Sequence, residues 1–137
     1  MRYLIPLDIE DALRVDVSTA ASQGGFSFSI AAPPVPANLG ASLPYVLVER
    51  LGGTRDEVVI DEHIVAVDVW DKDWADAHSV ANDVLGVLSA LPDTDGLAHD
   101  YLEVAVNVLP YDNPDPDHQD IPRVSFTAHV STRAEER

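Results

Sequence analysis

The spacing of apolar and polar residues changes several times along this chain, and each change predicts an element. Ile9, Leu13 and Val17 recur at i, i+4 after Pro6 and Asp8, which predicts an amphipathic helix over roughly residues 8–22. Asp8 suits its N-cap, Glu10 and Asp11 sit where a first turn favours negative charge, and Gln23-Gly24-Gly25 ends it. Phe26, Phe28 and Ile30 alternate with Ser27 and Ser29, the pattern of a short strand. Residues 31–44, with four prolines, read as an extended loop or arm.

Two apolar runs follow. Tyr45–Leu51 and Val58–Trp70 read as strands of a hairpin over 51–57, with Gly52-Gly53 as its turn. In the second run Ile60, Ile64 and Ala66 share one face, and Val59, Val65, Val67 and Val69 share the other. Apolar residues on both faces predict a sheet covered twice, by a helix on one side and by another subunit on the other. At Trp70 the period lengthens. Asp71 or Asp73 can cap a helix whose apolar stripe is Trp74, Ala77, Val80/Ala81, Val84, Val87/Leu88 and Leu91, stopping at Pro92 before the turn Asp93-Thr94-Asp95-Gly96. Tyr101–Leu109 and Val124–Val130 alternate as strands on either side of a Pro/Asp-rich hairpin loop at 110–122, which is expected to be exposed. The C-terminal STRAEER is expected to fray.

The predicted fold class is therefore α+β. A mostly antiparallel sheet of about five strands carries two packed helices in the order α-β-β-β-α-β-β. A chain of 137 residues is the size of one domain with one modest core, so residues 1–137 are expected to form a single unit.

Charge narrows the function classes. The chain has 24 acidic and 8 basic residues, a formal charge of −16 and one lysine, Lys72. Such a field repels nucleic-acid phosphates, which argues against sequence-reading DNA binding. No Lys or Arg lies between Lys72 and Arg123, while eleven Asp and Glu do. Salt or GC adaptation of the source explains this run as well as a functionally negative surface does. The chain has no cysteine, so disulfides, thiolate zinc sites and a cysteine nucleophile are excluded. No apolar run approaches the roughly 18 residues of a membrane span, and the N-terminus lacks a signal-peptide pattern.

Catalytic and metal chemistry find little support. The run from Asp112 to His118 lacks the sixth-position glycine and twelfth-position glutamate of an EF-hand loop. His63, His78, His99, His118 and His129 show no HExxH or other paired ligand spacing. There is no G-x-S-x-G, and Gly52-Gly53 lacks the spacing of a phosphate loop. The expectation is no enzyme, no cofactor, no metal and no catalytic residue. What remains are interaction features. Trp70 reads as a core cap or a binding anchor, and Arg50 and Arg55 stand out as partners for acids on a neighbouring subunit.

Residues 43–88, LPYVLVERLGGTRDEVVIDEHIVAVDVWDKDWADAHSVANDVLGVL, followed by YLEVAVNVLPYDNPDPDHQDIPRVSFTAHVSTR, resemble the tail terminator (tail-completion) proteins of long-tailed, non-contractile-tail phages. The likeness rests on element order. An apolar strand ends in Arg50-Leu51-Gly52-Gly53, a strand runs through Trp70 into an Ala/Val/Leu-rich helix, and a Pro/Asp loop leads to Pro122-Arg123 and a last strand near Arg133.

The resemblance implies a virion structural protein. It would form a hexameric ring that caps the tail tube, ends its polymerisation and joins tail to head, with DNA passing through unread. Implied partners are further copies of the chain, the major tail tube protein and a head–tail connector or neck protein, without a membrane. The implied place is the head–tail junction, and the host cytoplasm during assembly. On that view Arg50, Gly52, Gly53, Arg55, Trp70 and Arg123 are candidate interface residues, and Asp112, Asp115, Asp117 and Asp120 a candidate negative lumen or loop surface. Two alternatives stay open: another head–tail joining protein, and an acidic DNA mimic or other protein-binding module.

Overall fold

A computed structural model describes residues 2–57 and 59–137, with the backbone alone at Glu57. Strand β1 spans Leu4–Ile5, helix α1 Ile9–Gln23, strand β2 Tyr45–Glu57 and strand β3 Ile60–Trp70. Helix α2 spans Trp74–Ser89, strand β4 Glu103–Asp112, strand β5 Arg123–Arg133 and strand β6 Glu135–Glu136. The class is α+β. Among the described residues the main sheet has the order β2-β3-β5-β4 with every pairing antiparallel, and β1 pairs with β6 separately.

Local chemistry accounts for the helices. The Asp8 side chain accepts from the Asp11 N–H at 3.3 Å, and that of Asp73 accepts from the Asp76 N–H at 2.7 Å, so each helix has a carboxylate satisfying a free N-terminal donor. Helix α1 ends at Gly24, and Gly25 takes a left-handed φ of 77° that turns the chain. Ile9, Leu13 and Val17 of α1, and Ala77, Ala81, Val84 and Leu88 of α2, are buried against one face of the sheet. That face presents Val46 and Val48 of β2, Val65, Val67 and Val69 of β3, and Val124, Phe126, Ala128 and Val130 of β5. Trp74, expected in the α2 stripe, is instead 38% exposed at the first position of the helix.

Several expected boundaries move. Residues 26–30 form no strand of their own. Ile30 makes an isolated parallel bridge to Val46, and its N–H goes to the Ser18 hydroxyl at 3.0 Å, so α1 takes the donor that a ladder would need. The proline-rich segment 31–44, expected as an extended loop or arm, packs against the sheet. Its short 3-10 turn, Leu39–Ala41, buries Leu39 against Tyr45 and Trp70 on the sheet face opposite the helices. The Tyr45 hydroxyl donates to the carbonyls of Ala32 and Pro34 at 3.1 and 3.3 Å, holding the segment against the sheet. The chain end is also paired: β6 lies against β1, with Leu4 opposite Glu136.

The larger correction concerns Gly52-Gly53. Strand β2 runs past both glycines, which pair with Ile64 and His63, and the hairpin turns only after Glu57. Val58, expected to begin β3, lies outside the described residues. The register shifts between Arg50 and Gly52, leaving Leu51 as the extra residue of a bulge. Gly53 has φ 150°, and a Cβ there would lie 2.0 Å from the Glu62 carbonyl oxygen. The glycines therefore let two strands approach closely across a bulge, a need that imitates a turn signal in sequence.

The second sheet face is more polar than the β3 pattern implies. Ile64 and Ala66 pair with His129 and Thr127 of β5, and Asp68 pairs with Ser125. His129 Nδ1 meets Glu62 Oε1 at 2.6 Å, and the Asn113 amide donates to the Ser125 hydroxyl at 3.1 Å. This face mixes polar contacts with apolar positions, because β5 sets His129 and Thr127 beside Ile64 and Ala66.

Candidate functional site

Arg50 and Arg55 lie on one side of β2, opposite Val65 and Asp61. Arg55 grips Asp61 with two donors, its Nη2 lying 2.8 Å from Oδ2 and its Nε bonded to Oδ1. Its Nη1 also donates to the Leu4 carbonyl at 3.3 Å, tying β1 to β2. This grip holds the Asp61 carboxyl below the usual carboxylate range, outweighing the opposing effect of burial. Arg55 is thus engaged within its own subunit. Arg50 is not: its backbone N–H donates to Glu10 Oε2 at 2.7 Å, but its guanidinium forms no ion pair among the described residues. The bulged Leu51 beside it is 55% exposed. Arg50, Gly53, Arg55, Asp61 and His63 line a cleft of about 340 Å3.

His63 and Thr132, both 1% exposed, meet at 3.1 Å between Nε2 and Oγ1. Burial, and then the charge of Arg50, push the imidazole below its ordinary value, so His63 is neutral near pH 7. A hydroxyl beside a neutral imidazole is one ingredient of nucleophilic catalysis, but both side chains are buried here.

Trp70 and Arg123, 53 positions apart in sequence, come together at the far end of the hairpin. The guanidinium carbon of Arg123 stands 5.7 Å from the Trp70 ring centroid, and the Tyr45 ring meets the indole edge-on at the same separation. Arg123 Nε donates to the Asn113 carbonyl at 2.7 Å. Beneath them Asp115 accepts from the Trp70 indole at 3.0 Å and from the Asp117 N–H at 3.0 Å, and its Oδ2 lies 3.0 Å from His118 Nδ1. Burial pushes the Asp115 carboxyl up. The Asp117, His118 and Trp70 hydrogen bonds and the Arg123 charge outweigh it, and the net shift is down. Trp70 is 2% exposed, which makes it a core residue rather than a surface anchor.

The expected negative surface divides. Asp117 and Asp120 are exposed, and exposed Asp112 meets His78 Nε2 of α2 at 2.5 Å. Asp115 is buried at 7% and serves the Trp70 corner instead. The Pro/Asp loop is therefore pinned at its middle, not solvated throughout.

Sequence reasoning missed a buried carboxylate on α1. Asp16 is inaccessible and accepts from the Ala98 N–H at 2.7 Å, the His99 N–H at 3.1 Å and the Tyr101 hydroxyl at 2.7 Å. Burial pushes this carboxyl up, but the Tyr101, Ala98 and His99 contacts prevail and lower it. The one available signal was an Asp between the apolar positions Leu13 and Val17. Among the described residues no three His, Cys, Asp or Glu gather in a way that could hold a metal ion, and no helix is long and apolar enough to cross a membrane.

Against known proteins, no family model and no curated sequence matches the chain. Among solved structures, the chain is similar in fold to one from the "Virion of native gene transfer agent (GTA) particle". That likeness has a TM-score of 0.59 at 15% identity and covers 93% of this chain and 98% of the other.

Proposed function

We propose that this chain is a structural protein of a phage-like virion, and within that class a tail terminator. It forms a hexameric ring that caps the tail tube, stops its polymerisation and joins tail to head, with DNA passing through the ring. The observation that carries this reading is the near-complete two-way overlap with a chain of a gene transfer agent virion, which leaves no large insertion or missing element to explain. The partners are other copies of the chain, the tube protein and a neck or connector protein.

The geometry supports the reading in two further ways. The exposed Arg50 and Leu51 offer ion pairing and apolar contact to a neighbouring subunit. A formal charge of −16 lets DNA slide past without finding cations to neutralise its phosphates. Of the arginines considered for subunit contact, Arg55 and Arg123 are engaged internally, so Arg50 is the one we assign to the interface.

The test is imaging of purified protein by electron microscopy, with and without tail tubes, together with deletion of the gene. Six-membered rings and overlong or headless tails are expected. Normal virions after deletion would sink the proposal, and a monomer that blocks a DNA-binding enzyme would favour a DNA mimic instead.

A further inference from the structure

Helix α1 separates two surface features. At its N-terminal end, where Glu10 meets β2, lie the exposed Arg50 guanidinium and the bare side chain of Leu51. At its C-terminal end is a groove of about 680 Å3 between the last turns of α1 and α2. The groove has an apolar lining from Ala20, Phe26 and Val87, with Phe26 40% exposed, and an acidic rim of Asp93 and Asp95. Neither helix carries a basic residue in its last turn, so two negative helix ends face the same space without a countercharge. The stretch from Asp73 to Pro122 adds no Lys or Arg to neutralise them.

We infer that these surfaces recognise each other between copies: Arg50 and Leu51 of one subunit enter the acidic groove of the next. The inference rests on the ring-forming reading above and deepens it by naming the contact. The single charge of Arg50 suits the acidic rim, and exposed Leu51 suits the apolar lining. Leu51 meets the Phe26 and Val87 lining, while the guanidinium meets the Asp93 and Asp95 carboxylates. A helix of 15 residues spans about 22 Å, so the donor and acceptor surfaces of one subunit lie far apart. Such a contact is heterologous and propagates head to tail, the requirement for a closed cyclic ring. A two-fold pairing would use both contacts at once and stop at a dimer.

The chain has no cysteine, which gives a clean background for cross-linking. The variant combining Arg50→Cys with Asp95→Cys, treated at high protein concentration with a bismaleimide cross-linker of about 10 Å reach, since a guanidinium–carboxylate contact holds the two backbones beyond disulfide distance, should give a ladder of covalent multimers on a denaturing gel, with each single variant giving dimers at most. Monomers or dimers alone from the double variant would overturn the inference. Wild-type rings imaged in parallel judge the ring-forming reading separately, so rings without a ladder refute only this contact. A second route uses charge. Arg50→Glu should weaken association by about tenfold or more, and adding Asp95→Arg should recover most of that loss. An unchanged association constant in Arg50→Glu would also count against the contact.

Discussion

The Trp70 indole donates to the Asp115 carboxylate at 3.0 Å across 45 positions of sequence, inside a corner where both side chains are buried. This one bond joins the end of β3 to the middle of the Pro/Asp loop. Asp115→Ala leaves the indole and the Asp117 N–H without their acceptor and should cost about 2–3 kcal/mol. Urea unfolding followed by tryptophan fluorescence, with exposed Trp74 replaced by Phe, reads the loss at Trp70 directly. Wild-type stability in Asp115→Ala would show that the loop is held by other contacts.

Gly52 and Gly53 should behave differently although both have positive φ. At Gly52 an added Cβ meets nothing within 4 Å, so Gly52→Ala pays the backbone strain alone, about 1 kcal/mol. At Gly53 the same methyl collides with the Glu62 carbonyl, so Gly53→Ala should cost about 3 kcal/mol or more as β2 and β3 separate. Thermal melts of the two variants compare them, and equal costs would contradict the bulge geometry.

Tyr101→Phe tests the carboxylate buried in α1. It removes the hydroxyl that donates to Asp16 at 2.7 Å and should cost about 1.5–3 kcal/mol, since the acceptor is charged. Because that hydrogen bond also lowers the Asp16 carboxyl, the variant should begin to lose stability at a higher pH than wild type on acidification. A parallel pair of pH–stability curves would reject the assignment.

The pH dependence follows from two kinds of group. His63 has its folded pKa pushed below the ordinary 6.5, so the unfolded chain binds its proton first and stability falls as pH drops below about 6.5. Asp16, Asp61 and Asp115 have lowered carboxyls, so their contribution is present above the unfolded value near 3.8 and is lost as pH falls through the folded ones. The unfolding free energy should decline in two stages. His63→Gln should flatten the first and spare the second, and a first stage of unchanged slope would place its origin elsewhere.

Residues close together in sequence settled much of the secondary structure. The i, i+4 spacing of Ile9, Leu13 and Val17, the carboxylates at Asp8 and Asp73, and the alternation through Val65, Val67 and Val69 act within a few positions, and the helices and central strands follow from them. The α+β class was legible for the same reason. Of the candidate site, the pairing of opposed features was not. Trp70 and Arg123 could be named as unusual, but their stacking, and the role of Asp115 beneath them, depend on the β3–β5 register.

What only the tertiary structure decided is how distant segments meet. Gly52-Gly53 carries the composition of a turn, yet the close approach of Glu62 places it inside a strand. The prolines of 31–44 suggest an extended loop or arm, but only the packing shows that Leu39 is buried beside Trp70. Asp16 looks like a helix carboxylate facing water until residues 98–101, more than eighty positions away, supply its donors. Periodicity and capping record short-range geometry, whereas bulges, buried carboxylates and packed loops owe their stability to partners that the linear order does not place beside them.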